Sequence, residues 1–376
     1  HNEHRLRSLR SCRRLAEKVC ERIGNQKRNC RRNQRVFYRN GKIMSVDVIK
    51  DIIKSSFDIY KKDFHEIVFD LMGGEPLLEF QTIKEIAEWT WGQNWPMPYL
   101  FYATTNGTLV HGEIKKWFSR NKEKIVLGLS YDGDSVSQDF NRSNSSSKVD
   151  LTYFAHTWPF QRYKMTISPE SLNNLYSSVI YLHSCGIVGM FASFAYGVDW
   201  GDRHINIFRQ QLKMLVDYYL TNKDVIPVSL LSMNLPAIFA DNGNVKYCGA
   251  GTGMIFYNYD GQSYPCHLLS PVNLDQNQLK SISGTDYCNG DDFAPSACRS
   301  CILYNICPSC SGMNYLYLGD FKKRFPFMCR AIKVQVAHNM IFQYHTIMSK
   351  HEHSKKDVKT LKAIKKLKEL NLLSYV

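Results

Sequence analysis

"EIVFDLMGGEP" runs from Glu66 to Pro76. A run of mostly apolar residues stops at Gly73 and Gly74. The pattern predicts a buried strand that ends in a turn with little side-chain bulk. On its N-terminal side, "SVDVIKDIIKSSFDIYKK" (Ser45–Lys62) puts Val48, Ile49, Ile52, Ile53 and Phe57 on one helical face. Ser45 is the expected N-cap, and Asp47 sits in the first turn, where the helix dipole favours an anion. On its C-terminal side, "TIKEIAEWTWG" reads as a helix closed by Gly92, and "PYLFYATTNG" as the next strand.

The alternation continues. "GEIKKWFSRN" is an expected helix and "KIVLGLSYDGD" a strand. "QRYKMTISP" and "IVGMFASFAYG" are strands, each followed by a helix: "ESLNNLYSSVIYLHSCG", ending at Gly186, and "INIFRQQLKMLVDYYLTN". Apolar strands alternating with amphipathic helices predict an α/β fold with a parallel sheet wrapped by helices. The strands close on small or polar residues: Gly73 and Gly74, Thr105 and Asn106, Ser130 and Asp132, Thr166 and Ser168. Ligands of such folds sit at the carboxyl ends of strands, so this row marks a candidate site. The first thirty-five residues show no strand pattern. Beyond about Leu231 the style changes. "YCGAGTGMIFYNYDGQSYPCHLLSP" predicts a β-hairpin turning at Asp260-Gly261, and two helices close the chain.

With 376 residues the chain can bury about three quarters of its extended surface, so it needs no covalent staples. No apolar run is long enough to span a membrane. The formal charge of +14 sits largely at the two ends, in "RLRSLRSCRRLAEKVCERIGNQKRNCRR" and "KKDVKTLKAIKKLKELN". A solvated surface or an acidic peptide partner accounts for it; no nucleic-acid module is present, and neither nucleic acid nor membrane is an expected partner.

Twelve cysteines remain to be explained, eight of them between Cys248 and Cys329. "HNEHRLRSLRSCRRL" at the N-terminus lacks the apolar stretch of a secretory signal, so a reducing, cytoplasmic setting is expected. There, metal binding outranks disulfides. "CRSCILYNICPSC" (Cys298–Cys310) is spaced C-x2-C-x5-C-x2-C. With Cys248, Cys266 and Cys329 this makes seven thiols, too many for one four-coordinate ion. They suit two iron–sulfur clusters, with two zinc ions as the other option.

The spacing C-x17-C, with Gly261 five residues before Cys266, then C-x2-C-x5-C-x2-C and a final Cys, resembles the SPASM extension of radical S-adenosylmethionine enzymes. "MGGEP" after a strand is similar to the same superfamily's glycine-rich motif. "TTNGTL", "LSYDGD", "NRSNSSSKVDL", "CGAGTGM" and "YPC" resemble its peptide maturases, which modify ribosomally made precursor peptides. The likeness runs from about Ser45 to about Arg330.

The resemblance implies a partial (β/α) TIM-like barrel over 41–230, a SPASM iron–sulfur domain over 231–335 and C-terminal helices over 336–376, after an irregular basic segment over 1–40. It implies S-adenosyl-L-methionine held by Gly73, Gly74, Glu75, Asn106, Ser130 and Arg142, and two auxiliary [4Fe-4S] clusters. One cluster would take Cys298, Cys301, Cys307 and Cys329, the other Cys248, Cys266 and Cys310. The fourth position of the second is either Cys288 or open to substrate. The implied partners are a precursor peptide and an electron donor such as a flavodoxin or ferredoxin. The implied reaction is radical modification of that peptide, with thioether crosslinking as one outcome.

One departure stands out. The superfamily holds its cofactor-binding cluster with C-x3-C-x2-C after the first barrel strand, and this sequence has no such motif. Cys12, Cys20 and Cys30 are spaced by seven and nine residues. Three readings stay open: an N-terminal segment altered by a shift of reading frame, a homologue that binds peptide without catalysis, or an unusual convergence of those three thiols.

Overall fold

The computed structural model describes residues 32–36, 42–240 and 246–376. The basic segment with Cys12, Cys20 and Cys30 lies outside the described residues.

The helix Val46–Tyr60 forms where periodicity placed it. Ser45 Oγ accepts from the Val48 amide at 3.4 Å, and Ile49, Ile52, Ile53 and Phe57 are buried. Each later strand–helix pair is also found. The strands are β1 (Arg32–Val36), β2 (Ile67–Leu71), β3 (Tyr99–Thr105), β4 (Ile125–Leu129), β5 (Tyr163–Ile167) and β6 (Met190–Phe194). β1 to β4 pair in parallel in chain order, and β5 pairs in parallel with β6. A parallel bridge between Ser130 and Lys164 joins the two groups, reinforced by the Tyr131 amide donating to the Lys164 carbonyl at 2.9 Å.

The strand period of two sorts the side chains. Phe69, Phe101, Ala103, Leu127, Leu129, Tyr163, Met165 and Met190 are buried in the main core with the helices. The intervening residues share the other face: Asp70 pairs in register with Tyr102, Thr104 with Gly128, Ser130 with Lys164 and Thr166 with Ser193. The sheet thus has one apolar side under helices and one polar side.

β1 corrects the sequence reading, which saw no strand before residue 35. "RNQRV" carries a single apolar residue, so neither propensity nor periodicity marks it. Its place between β2 and β7 (Met254–Tyr257) supplies ladder partners on both edges, and those fix an extended backbone whatever the side chains.

The expected hairpin is present. β7 pairs antiparallel with β8 (Ser263–Tyr264), and Gly261 sits at φ +80° in the turn. That left-handed conformation favours glycine. The long helix Pro326–Met348 packs on Asp202–Thr221, and its Phe327, Ala331, Val334 and Phe342 enter the main core. Asn339 and Gln335 both donate to the Leu230 carbonyl, at 2.7 and 3.0 Å. Lys355–Glu369 is the last α-helix. Among the described residues no helix is long and apolar enough to cross a membrane.

Candidate functional site

At the carboxyl end of β2 the chain makes its glycine turn. A Cβ built on Gly74 meets nothing within 4 Å, so this backbone is open to close approach. Glu75 follows and turns back onto the next strand. Its Oε1 accepts from the Thr105 hydroxyl at 2.7 Å and from the Leu77 amide at 3.2 Å, and its Oε2 accepts from the Asn106 amide at 2.7 Å. Burial pushes the Glu75 carboxyl above its ordinary pKa, and these three bonds offset only part of that shift.

Asn106 is brought beside Glu75 as expected, but its side chain is used locally. Its Oδ1 accepts from the Thr108 amide at 2.9 Å and hydroxyl at 2.7 Å. Gly107, at φ +80°, allows this turn, since a Cβ there would lie 2.7 Å from Leu129 Cδ1. Ser130 comes next along the row, its amide donating to the Thr105 carbonyl at 2.9 Å.

Arg142 is engaged in a way the sequence did not reveal. Its Nε and Nη2 fork onto Asp132 at 2.8 and 2.9 Å. Asp132 is buried and also accepts from the Thr166 amide at 2.8 Å. Asp132 thus ties the end of β4 to β5 through the Thr166 amide and holds the Arg142 guanidinium. Lys164 was missed altogether. Its Nζ donates to Thr104 Oγ1 at 2.7 Å on that face. A lysine between Tyr163 and Met165, in a strand whose alternate residues are apolar, was the available signal.

The thiols form a second region. Cys298, Cys301, Cys307 and Cys329 line one cavity of about 80 Å³, together with Arg324, Lys333 and Lys246. Short turns deliver them: the Cys301 amide donates to the Cys298 carbonyl at 3.1 Å, and Cys307 follows the turn Tyr304–Ile306. Cys329 lies in the first turn of Pro326–Met348. Arg324 binds the walls together, donating to the Phe293 carbonyl at 2.6 Å and to the Phe321 carbonyl at 2.8 Å, and its charge favours the Cys298 thiolate. Burial pushes the Cys307 thiol up to about 12, and the neighbouring sulfurs of Cys329, Cys298 and Cys301 add to it.

The other three thiols form their own group. Cys266 is buried in a small apolar cluster with Cys248 and Cys310 against it. Burial pushes its thiol up to about 12, and both neighbours contribute. A Cβ on Gly312 would stand 3.5 Å from Cys266 Sγ, so the turn after Cys310 lies against that sulfur. Cys288 is exposed and outside this cluster, although the Lys246 ammonium senses Cys248, Cys288 and Cys266.

Two contacts join the thiol region to the open end of β6. Tyr196 meets Phe325 edge-on with centroids 5.4 Å apart, and Phe327 stacks on Trp200 with centroids 4.3 Å apart.

The donor sets can be tested against the groups they would hold. Four thiols around one cavity, with three cations on its walls, suit an anionic cluster that takes one thiolate per iron. A single tetrahedral zinc needs sulfurs drawn to one point, about 2.3 Å from the ion. Among the described residues no group of three or more His, Cys, Asp or Glu side chains stands close enough to hold a metal ion, so neither thiol set is drawn together around one in this structure. The cofactor-binding cluster is a different matter. No cysteine lies between Cys30 and Cys185, so the segments following β1 to β4 carry no thiol for it.

No protein-family model matches this sequence, and no curated protein does. Solved structures do match. An anaerobic sulfatase-maturating enzyme with bound AdoMet superposes with a TM-score of 0.62 at 15% identity, over 89% of this chain and 98% of that one. The same enzyme with bound AdoMet and the Cp18Cys peptide gives 0.62 at 14% identity, over 89% and 99%. SuiB of Streptococcus suis gives 0.52 at 15% identity, over 83% and 80%. The chain therefore carries the fold of the radical SAM maturases, a mixed α/β architecture with parallel strands and many helices.

Proposed function

We propose that this protein acts on a ribosomally made precursor peptide as a radical SAM/SPASM-type maturase. Its partial TIM-like barrel would take in residues 41–230 together with β1, 231–335 would be its cluster domain, whose β7 pairs onto β1, and 336–376 its terminal helices. The observation that carries the reading is the partition of seven cysteines into a set of four around one cavity and a set of three around Cys266. Each set would hold an auxiliary [4Fe-4S] cluster, with the second completed by Cys288 or by substrate. Such clusters supply one-electron transfer and, where a ligand is missing, an iron open to a substrate thiolate. The relatives solved with AdoMet and with a peptide bound support the same ligands here.

The chain's own residues then have defined tasks. Gly73 and Gly74 let S-adenosylmethionine approach the backbone. Glu75 offers an anionic acceptor to its ammonium, and that partner would draw the carboxyl's raised pKa back down. Asn106, Ser130 and Arg142 line the rest of the row. Thioether crosslinking is the bond type we propose.

A second reading is favoured by the absence of cysteine between Cys30 and Cys185. In it, the chain binds peptide and holds the auxiliary clusters without cleaving S-adenosylmethionine. The deciding experiment incubates the anaerobically reconstituted, reduced protein with S-adenosylmethionine and peptide. Release of 5′-deoxyadenosine supports the maturase. Saturable peptide binding with no release supports the second reading, and neither binding nor release defeats both.

A further inference from the structure

The helix Lys355–Glu369 has one face in the protein and one in water. Ala363 and Leu367 are buried in a cluster with Leu303 and Ile306, and Leu303 lines the four-cysteine cavity. The same helix is further tied to that wall by Lys333, a cavity residue, whose Nζ donates to the Tyr375 hydroxyl at 3.3 Å just beyond the helix. Lys355, Lys359, Lys362 and Lys366 recur on the opposite face at intervals of four, three and four, and all are exposed. Lys356, Lys365 and Lys368 are exposed beside them. The two acids on the helix do little to offset this. Asp357 is buried and taken by Ser354 and Lys350, and Glu369 meets only Lys366, at 3.5 Å.

This stripe is not explained by helix stability. Lysines four apart repel one another, and Lys355 and Lys356 stand at the N-terminal end, where the helix dipole disfavours cations. An acidic partner surface removes both penalties on binding. The location then selects among acidic partners. Of the two thiol sets, the one beside this helix is the more open: Cys301 and Cys329 are exposed, whereas Cys266 is buried. One helix thickness, about 10–12 Å, separates the stripe from the cavity wall.

We propose that the lysine face of Lys355–Glu369 is the docking surface for a small acidic one-electron carrier protein, placed to exchange electrons with the group held by Cys298, Cys301, Cys307 and Cys329. The docking rests on the cluster reading above for its purpose, but not for its detection. In the exchange the reduced carrier loses one electron, the oxidised cluster gains it, and no bond forms or breaks.

The test titrates full-length protein into a labelled acidic flavodoxin at low salt, reading fluorescence anisotropy. A variant with Lys355→Gln, Lys359→Gln, Lys362→Gln and Lys366→Gln keeps good helix formers and removes four charges. It is expected to bind at least about 10-fold more weakly, and added salt should erase the difference. The matching Lys→Arg variant should bind like the parent. On mixing with reduced flavodoxin, the cluster absorbance should bleach more slowly in the Gln variant, with unchanged bleaching by dithionite. Equal flavodoxin affinity of parent and Gln variant overturns the proposal. So does a parent that binds polyglutamate peptide or duplex DNA but not flavodoxin. Iron-free protein that still binds through the stripe removes the cluster reading and leaves the surface standing.

Discussion

Glu75 and Asn106 stand at the open ends of adjacent strands, and the Asn106 amide donates to Glu75 Oε2 at 2.7 Å. With Thr105 on the other oxygen, one carboxylate ties the glycine turn to the end of β3.

Burial raises the Glu75 pKa in the fold. Between the ordinary carboxylate value and the raised one, the folded state binds more protons than the unfolded state. The associated stability is therefore present at low pH and is lost as pH rises through the folded pKa. Glu75→Gln should abolish this portion of the pH dependence. It also presents an amide NH₂ or a single oxygen to donors that need acceptors, at a cost of about 1–3 kcal/mol. Denaturant melts of both proteins from acid to neutral pH check it: the two curves should differ in slope, and parallel curves would contradict the assignment.

Arg142 and Asp132 form a forked pair with a buried carboxylate. Removing the arginine strands that charge. Arg142→Ala should destabilise the protein by about 3 kcal/mol, the low end for a broken buried pair, because the arginine is partly exposed and the Thr166 amide remains. Chemical denaturation measures this. An Arg142→Ala protein of unchanged stability and weakened S-adenosylmethionine binding would give the residue a ligand role alone.

The two thiol sets should lose their groups separately. Cys307→Ser is expected to remove about four irons and leave the other cluster's spectrum intact, and Cys266→Ser the converse. Iron analysis and electron paramagnetic resonance of the singly and doubly substituted proteins read this out. Loss of all iron from either single substitution would contradict the partition.

Gly312 is held to its size. A Cβ there would lie 2.9 Å from Leu268 Cβ and 3.0 Å from its Cδ1, beside Cys266. Gly312→Ala should cost about 1–3 kcal/mol from overpacking and lower the iron retained by the Cys266 set. A thermal melt together with iron analysis checks both, and an alanine variant matching the parent in each would show that Leu268 yields freely.

Much of this architecture was readable in the residues. Ile49, Ile52, Ile53 and Phe57 announce a helix because a buried face repeats every three to four residues. Gly261 and Gly186 mark a turn and a helix end because each adopts positive φ. β1 was not readable: "RNQRV" is held by backbone partners contributed by β2 and β7, one of them more than two hundred residues away. The Arg142–Asp132 fork and the Thr105–Glu75 bond were hidden for a related reason. A strand-end polar residue shows its type in sequence, but its partner is set by which strands lie side by side. The grouping of the cysteines was an expectation of the resemblance; Cys298, Cys301, Cys307 and Cys329 are among the residues lining one cavity, and Cys248 and Cys310 pack beside Cys266. Cys288 is exposed, and the Lys246 ammonium feels it together with Cys248 and Cys266.

The central claim is that the seven thiols grip iron–sulfur clusters, and Mössbauer spectroscopy of anaerobically reconstituted, iron-57-labelled protein tests it most directly. The account predicts about eight irons per chain in two resolvable four-iron environments. Colourless protein that binds zinc in stoichiometric amount, or takes up no iron and sulfide, would contradict it.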